Sequence, residues 1–184
     1  MKPRVAVLLA PGFEDIEAVT TIDVLRRADL PVSVTGVGGS ADGLVCSSHG
    51  LSLKVDCQIE DLPTDALEMV VFPGGLPGAS NLVDSKAACQ LARLVVERGG
   101  WAAAICAAPI ALSAAGLLEG VEYTCYPSFE KKIAAGTYTG ARVQTSKKII
   151  TACGPGASLE FAFAILKALG KEEESNALRK EMLV

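Results

Sequence analysis

The chain has 184 residues, half of them hydrophobic and only 5% aromatic, so it is long enough for one domain with a mainly aliphatic core. Lys and Arg total 17 against 21 Asp and Glu, and a formal net charge of −4 without any basic run gives no sign of a nucleic-acid-binding surface. No apolar stretch approaches the roughly 20 residues that a membrane-spanning helix needs, and Pro11-Gly12 interrupts the first apolar run, unlike a secretory signal. These features predict one cytoplasmic domain over residues 1–184.

The pattern along the chain alternates apolar strand-like runs with helical segments, which is typical of a parallel sheet covered by helices on both faces. Residues 40–60 carry weaker signals and predict a β-hairpin or a small excursion off the sheet, and Gly38-Gly39 before them ends the second strand. The charged cluster at 171–174 predicts the start of a last helix. In chain order, the other predictions are a strand at 4–10, a helix at 15–28, strands at 32–37 and 69–72, a helix at 85–98, a strand at 101–105, a helix at 107–116, a strand at 148–152 and a helix at 158–169.

Six cysteines stand at positions 46, 57, 89, 106, 125 and 153. They form no C-x-x-C pair, and a cytoplasmic α/β domain of this size needs no disulfide bonds. His49 is the one histidine, and with Cys46 it makes at most half of a zinc ligand set. We therefore expect reduced thiols, most of them small core residues, and no metal site.

Ligands of an open parallel sheet bind at the carboxyl ends of its strands. Four predicted strand ends carry unusual residues, and although each set alone is compatible with ordinary turn chemistry, a parallel sheet places them at one edge. This convergence favours a functional site. The four sets are Pro11-Gly12 with Glu14 and Glu17, Pro73-Gly74-Gly75, Cys106, and Gly154-Pro155-Gly156.

Cys106 directly follows the apolar run 102–105 and precedes Ala107, Ala108 and Pro109. A strand that leads through a nucleophile into a helix is the pattern of the nucleophile elbow, in which small neighbours keep the tight turn approachable. A thiol at a helix N-terminus also experiences the positive end of the dipole, which lowers its pKa. The alternative, from this segment alone, is a buried cysteine at a strand end.

The pair Gly74-Gly75 permits a backbone turn in which amide N–H groups point at an anion. Together with the N–H of Ala107, these groups would form an oxyanion hole beside Cys106; alternatively, the glycines only turn the chain. No G-x-G-x-x-G motif follows the first strand, so no dinucleotide cofactor is expected.

Three acids, Glu14, Asp15 and Glu17, stand near the start of the first helix. Acids in a first turn commonly do no more than favour the helix dipole, but one that points back over the strand ends could hydrogen-bond a thiolate or move its proton. A Cys-His-acid triad needs a histidine near the sulfur, and His49 lies in the weakly patterned stretch. Protease or amidotransferase chemistry is therefore not expected in the isolated subunit.

Several motifs occur in order along the chain: Leu9-Ala10-Pro11-Gly12, Asp23-Val24-Leu25-Arg26-Arg27-Ala28, Cys46-Ser47, Phe72-Pro73-Gly74-Gly75, Ala103-Ala104-Ile105-Cys106-Ala107-Ala108-Pro109, Gly154-Pro155-Gly156 and Glu160-Phe161-Ala162. With them, the whole chain resembles the ThiJ/PfpI superfamily, in the branch of the Parkinson disease protein DJ-one. The resemblance implies a flavodoxin-like α/β fold, a three-layer sandwich with a mostly parallel central sheet and a cysteine nucleophile elbow, usually in a homodimer.

The resemblance also implies roles for individual residues. Glu17 matches a family glutamate that is protonated and hydrogen-bonds the cysteine sulfur, and Gly75 and Ala107 match the backbone donors of a small anion pocket. Cys106 matches a cysteine that oxidises readily to sulfinate, a state that those hydrogen bonds stabilise.

Two positions depart from the family pattern. Tyr126 stands where a histidine is common, and because tyrosine is a poor base near neutral pH, the proton-transfer role falls to Glu17. Ser47-Ser48-His49 stands where relatives often carry an arginine, which implies that His49 lines the pocket from a partner subunit.

Members of this family are described as glyoxalase III enzymes that convert methylglyoxal to lactate without glutathione, as deglycases, as redox-responsive chaperones and, in older naming, as thiazole monophosphate biosynthesis proteins. We expect a cofactor-independent glyoxalase or deglycase that acts on a small reactive aldehyde or a glycated protein through Cys106 and Glu17. The alternatives are a redox sensor in which Cys106 becomes a sulfinate, and a structural domain without chemistry.

Overall fold

The computed structural model describes residues 2–38 and 42–184. Its strands are β1 (Val5–Leu9), β2 (Val32–Gly36), β3 (Leu44–Cys46), β4 (Ser52–Lys54), β5 (Cys57–Gln58), β6 (Met69–Phe72), β7 (Trp101–Ile105), β8 (Glu122–Tyr123), β9 (Thr137–Tyr138), β10 (Val143–Ser146) and β11 (Ile149–Ala152). Its α-helices are α1 (Asp15–Arg27), α2 (Gly78–Asp84), α3 (Lys86–Glu97), α4 (Pro109–Ala114), α5 (Ser158–Ala168) and α6 (Glu172–Glu181).

Within the described residues, the central sheet has seven strands in the order β10-β11-β7-β6-β1-β2-β5. All neighbours in it run parallel except β10, which is antiparallel to β11. Side chains alternate between its faces: Val5 and Val7 join one core cluster, and Ala6 and Leu8 join the other. Because helices cover both faces, the central strands β1, β6 and β7 are apolar throughout, and the predicted three-layer α/β sandwich is confirmed.

Helices α1, α5 and α6 cover the face of Val5 and Val7, whereas α2, α3 and α4 cover the opposite face. Helix α3 begins where the Ser85 side chain accepts a hydrogen bond from the N–H of Ala88 at 3.2 Å, which satisfies one of the free amides of its first turn. Its Leu91, Ala92 and Val95 are buried against the sheet. Burial of each large aliphatic side chain contributes about 1.5–3 kcal/mol. The two cores therefore hold the helices firmly against the sheet.

The predicted hairpin after β2 is present as β3 and β4, which pair antiparallel off the main sheet with Val45 opposite Leu53. Part of that prediction, residues 40 and 41, and the predicted strand end at Gly39 lie outside the described residues. The helix predicted at 107–116 is shorter because residues 106–108 form a turn and Pro109, which favours a first helical position, opens α4. Helix α2, the β8–β9 pair and edge strand β10 were not predicted.

All six cysteines are free thiols, as expected. Cys89, Cys106 and Cys125 are buried, Cys57 and Cys153 are half-buried, and Cys46 is exposed. The prediction that most of them are core residues is therefore correct for three of the six.

No helix within residues 2–38 and 42–184 combines the length and the apolar character that crossing a membrane requires.

Candidate active site

The carboxyl ends of β11, β7, β6 and β1 lie side by side, because these strands are neighbours in the sheet and run in one direction. The loop after β1 also contacts the loop after β6: the N–H of Glu14 donates to the C=O of Gly74 at 2.9 Å, and that of Gly78 donates to the C=O of Gly12 at 3.2 Å. The predicted convergence of the four strand ends at one edge is confirmed.

Cys106 occupies a strained backbone position directly after β7. Its φ of 64° is left-handed, a conformation that costs a non-glycine residue roughly 1–2 kcal/mol. Two backbone hydrogen bonds hold it there, since its N–H donates to the C=O of Ala152 at 2.9 Å and its C=O accepts from the N–H of Tyr126 at 2.8 Å. The turn leaves the residue 9% exposed, and the geometry is that of the predicted elbow.

Gly74 lets the loop after β6 approach the elbow closely. A Cβ on Gly74 would lie 2.7 Å from the Cβ of Cys106 and 2.7 Å from Oε2 of Glu17, which leaves no room for a side chain. Its N–H donates to Oε2 of Glu17 at 2.7 Å. The prediction that Gly74 offers this N–H to a bound anion is therefore wrong, because Glu17 already uses it.

The amides of Gly75 and Ala107 remain on the sulfur side. Both N–H groups lower the pKa of the Cys106 thiol, because a backbone donor near the sulfur stabilises its negative charge. Gly75 has a φ of 85°, which a side chain would disfavour, and a Cβ there would come within 2.6 Å of the C=O of Gly12. Of the three predicted anion donors, these two interact with the sulfur, and their role as an oxyanion hole stays a prediction.

Glu17 is the acid of helix α1 that points back toward the strand ends. Its side chain is fully buried, and this burial raises the pKa of its carboxyl to about 7, with the N–H of Gly74 and the thiol of Cys106 opposing the shift. Its Oε1 has no hydrogen-bond partner of regular geometry among the described residues, and the Cys106 thiol is the polar group beside the carboxyl. A carboxyl with this environment takes up and releases a proton near neutral pH.

The Cys106 thiol and the Glu17 carboxyl form a coupled pair. Burial raises the pKa of the Cys106 thiol, a negative charge on Glu17 raises it further, and the amides of Ala107 and Gly75 lower it. The prediction that a helix end lowers this pKa is wrong, because α4 begins only at Pro109 and burial is the largest effect. Protonation of Glu17 removes the negative charge that disfavours a Cys106 thiolate. The two groups therefore carry one negative charge more readily than two.

Tyr126 lies next to the elbow through its backbone, and its side chain is 47% exposed. The ring packs edge-on against Phe129 with 6.4 Å between centroids, and it would be 3.2 Å from a Cβ on Gly154. Tyr126 is thus at the rim of the site, where its backbone N–H positions Cys106.

His49 reaches the start of α1. Its Nδ1 is 3.0 Å from Oδ2 of Asp15 and 3.1 Å from Oγ of Ser48, which in turn donates to Oε2 of Glu14 at 3.2 Å. Its side chain is 69% exposed. Within one chain it contacts these residues, and its predicted place in the pocket of a partner subunit stays a prediction.

Among the described residues, Glu14, Asp15 and His49 form a group that could hold a metal ion. Each offers one ligand atom, and these atoms lie within 4.8 Å of one another. Ser48 hydrogen-bonds both Glu14 and His49, and His49 contacts Asp15 directly; clusters of exposed acidic groups are common without an ion.

Sequence reasoning placed the end of β11 at this edge but missed its hydrogen bond to the elbow. The C=O of Ala152 receives the N–H of Cys106, and Cys153 follows at the end of that strand. The available signal was the apolar run that ends in Cys153-Gly154, since it matches the run that ends in Cys106.

The sequence of residues 3–168 matches the DJ-1/PfpI family. The chain belongs to this family. The protein is 37% identical over 185 residues to the Parkinson disease protein 7 homolog of Danio rerio, with 98% of this chain and 97% of that protein covered. It is 38% identical over 173 residues to Protein DJ-1 homolog B of Arabidopsis thaliana, but that match covers 92% of this chain and 39% of the plant protein.

A further relative in the DJ-1/PfpI family carries an activity in its name. The Glutathione-independent glyoxalase DJR-1.2 of Caenorhabditis elegans is 33% identical over 179 residues, with 96% of this chain and 94% of that protein covered. Among solved structures, Drosophila melanogaster DJ-1beta superposes with a TM-score of 0.93 at 34% identity, over 100% of this chain and 99% of that chain. The predicted family and fold are thereby confirmed.

Proposed function

We propose that this protein is a cofactor-independent glyoxalase that converts a 2-oxoaldehyde such as methylglyoxal to the corresponding 2-hydroxy acid. The observation that carries the proposal is the pairing of Cys106 with Glu17, a buried carboxyl whose pKa is raised to about 7. The family relative that is named a glutathione-independent glyoxalase supports the same reaction class.

In the first step, the sulfur of Cys106 adds to the aldehyde carbon and forms a hemithioacetal. The developing negative charge is on the former carbonyl oxygen, and the N–H groups of Gly75 and Ala107, which lower the pKa of the adjacent Cys106 thiol, would donate to it. Removal of one preorganised donor from an oxyanion hole costs about 2.7–4 kcal/mol of transition-state stabilisation. Protonation of the oxygen completes the addition.

In the second step, Glu17 moves a proton between the two substrate carbons. As carboxylate it removes the hydrogen from the hemithioacetal carbon to give an enediol, and as carboxylic acid it returns a proton to the neighbouring carbon. A pKa near 7 lets one group do both. The product is a thioester of the 2-hydroxy acid on Cys106, and water then hydrolyses it, releasing the acid and restoring the thiol.

The test of this mechanism is lactate formation from methylglyoxal, measured directly and with a free-thiol control. We expect turnover by the wild type, none by Cys106→Ser, and a loss on the order of 10²-fold or more in Glu17→Gln, since general acid–base catalysis contributes about that much. Glu14→Gln is the matched control in the same helix turn region and keeps full activity. Unchanged lactate formation in Glu17→Gln would disprove the mechanism.

The same chemistry extends to adducts of 2-oxoaldehydes on protein thiols and amines, which makes deglycation of a glycated protein an accessible activity. Cys106 is at the carboxyl edge of the sheet with an exposed Tyr126 at the rim, so an adduct on a flexible segment can approach it. Release of free lactate from a glycated peptide by the wild type, and not by Cys106→Ser, would support this extension.

A homodimer is part of the proposal. Helix α1 and the β3–β4 hairpin carry exposed aliphatic side chains, with Ile16 55% exposed, Val19 44% exposed and Leu51 56% exposed, and such exposure on a monomer favours an interface. His49 belongs to the same hairpin, so a second copy seated there would contact it.

A second candidate function is redox sensing through Cys106. The donors of Gly75 and Ala107 that favour a thiolate would also hold the oxygens of a sulfinate, and a protonated Glu17 would add a third donor. Intact mass after mild peroxide treatment tests it: a gain of two oxygen atoms that is absent in Cys106→Ser supports a sensor.

A further inference from the structure

The paired register of β7 and β11 ends at Ile105 and Ala152, and one more hydrogen bond joins the two segments beyond it. The register pairs Ala104 with Thr151 and Ile105 with Ala152, and the N–H of Cys106 donates to the C=O of Ala152 at 2.9 Å. In a parallel ladder, a residue that donates to position 152 stands opposite position 153. Cys106 and Cys153 are therefore neighbours across two adjacent strand ends.

The general spacing of neighbouring strand ends is compatible with a disulfide bond. Adjacent strands lie about 4.8 Å apart, and the Cα atoms of disulfide-bonded cysteines lie roughly 4.4–6.8 Å apart. Both cysteines pack against the same core cluster, on the face covered by α1 and α5. Cys153 is half-buried and precedes Gly154 and Gly156, residues whose freedom lets the strand end adjust.

Cys125 is the other thiol near the elbow, since the N–H of the next residue, Tyr126, donates a hydrogen bond to the C=O of Cys106. Its side chain is fully buried in the core cluster of the opposite face, with Tyr123 and Leu118. The sheet separates it from the cluster of Cys106, so Cys153 is the better placed partner.

Arg142 holds the Cys153 segment in place. Its C=O accepts the N–H of Cys153 at 3.0 Å, and its guanidinium donates to the C=O of Gly156 at 2.7 Å and to Glu160 at 2.9 Å. A negative charge on Cys153 is among the causes that raise the pKa of Arg142, so the guanidinium lies close enough to interact with a Cys153 thiolate.

We infer that Cys153 is the resolving cysteine of Cys106, and that a hydroperoxide converts the two thiols into an intramolecular disulfide. The thiolate of Cys106 attacks one peroxide oxygen and is oxidised to a sulfenic acid, while the peroxide O–O bond breaks and the other oxygen leaves as an alcohol or water. Cys153 then attacks the sulfenic sulfur, the S–S bond forms, and the S–O bond breaks to release water. Two thiols and one hydrogen peroxide thus give one disulfide and two water molecules.

The experiment treats the reduced, full-length protein with equimolar hydrogen peroxide, blocks the remaining thiols by alkylation and maps the peptides without reduction. Trypsin cuts after Arg98, Lys131, Lys148 and Lys167, so the expected product joins the peptide 99–131 to the peptide 149–167. Because the first peptide contains both Cys106 and Cys125, the map is repeated in Cys125→Ser, where the cross-link must persist.

The cross-linked peptide is expected to be lost in Cys153→Ser and Cys153→Ala, and Cys106 of these variants is expected to stop at sulfenic acid with one equivalent of peroxide and to accumulate sulfinic acid when a second equivalent is added. Wild-type protein that forms sulfinic acid at the same rate as Cys153→Ser, with no joined peptide, would overturn the inference. The result is independent of the proposed glyoxalase reaction. Lactate formation by reduced Cys153→Ser should equal that of the wild type. If the wild type forms the cross-link but no lactate, the proposed glyoxalase function is wrong and the disulfide inference stands.

Discussion

Glu17 reaches from helix α1 across the sheet edge to accept the N–H of Gly74 at 2.7 Å. This bond fixes one carboxyl oxygen and leaves the other without a regular partner among the described residues, beside Cys106. A carboxyl that is held by one oxygen and free at the other can move a proton without moving itself.

The stability of the protein should fall as the pH rises through the range in which Glu17 ionises. Its pKa is about 7 in the folded chain against 4.5 for an ordinary glutamate, so the native state binds the proton more tightly than the unfolded state. The stabilisation by the protonated form is complete below pH 4.5 and is lost as the pH passes 7, a change of about 3 kcal/mol from a shift of this size. Urea unfolding at pH 5 and pH 8 measures it.

Glu17→Gln is the matched variant for that measurement, because its amide does not titrate and all other groups are shared. The free energy of unfolding of wild type minus variant should decrease from pH 5 to pH 8. An increase over this interval would mean that Glu17 is ionised and stabilising in the fold.

Gly74→Ala should lower both stability and lactate formation. The new Cβ would meet the Cβ of Cys106, Oε2 of Glu17 and the C=O of Ile105, all within 2.9 Å, and forcing a methyl group into packed surroundings costs about 1–3 kcal/mol. Gly156→Ala is the control at the same edge, since a Cβ there meets no atom within 4 Å. Thermal unfolding and lactate assays of both variants compare them, and equal effects would refute the steric argument.

The left-handed backbone of Cys106 predicts that glycine is tolerated there better than alanine, the reverse of the usual order. Replacement by glycine removes the conformational strain that replacement by alanine keeps, so Cys106→Gly should be at least as stable as Cys106→Ala. At Cys125, whose φ is not positive, glycine should be less stable than alanine by roughly 0.5–1 kcal/mol. Urea unfolding of the four variants measures their free energies of unfolding. If alanine is more stable than glycine at both positions, the prediction for Cys106 is wrong.

The proposed dimer predicts that Ile16→Glu dissociates the protein. A charge at the centre of an apolar interface has no partner and is costly to bury, whereas in the free monomer the side chain of Ile16 is already 55% exposed. Sedimentation should therefore show monomers with unchanged thermal stability of the fold. Leu183→Glu, at a side chain 93% exposed on another part of the surface, should sediment like the wild type.

The sequence predicted the inner strands well because their identity depends on local composition. The run 101–105 and the small residues after it specify a buried strand and a tight turn without reference to the rest of the chain, and Cys106 followed from them. Edge strand β10 is polar and half exposed, and β8 and β9 have two residues each. Such segments become strands only because a neighbour offers free hydrogen-bonding groups, which composition does not reveal.

The candidate site likewise combines features that local sequence predicts with features that depend on distant contacts. Glu14, Asp15 and Glu17 are equivalent as sequence, and their different roles arise from which side of helix α1 faces the sheet edge. The use of the Gly74 N–H by Glu17 likewise depends on a contact between residues far apart in the chain. Distant contacts of this kind decided which predicted donor was free and which was occupied.

The carbonyl of Cys106 is held by the main chain of residue 126, and its amide by the main chain of residue 152. Any amino acid other than proline at 126 can supply that N–H, so the placement of the sulfur does not depend on which side chain stands there. Evolution is therefore free to exchange the ring at this position, altering what approaches the thiol while the thiol itself stays in place.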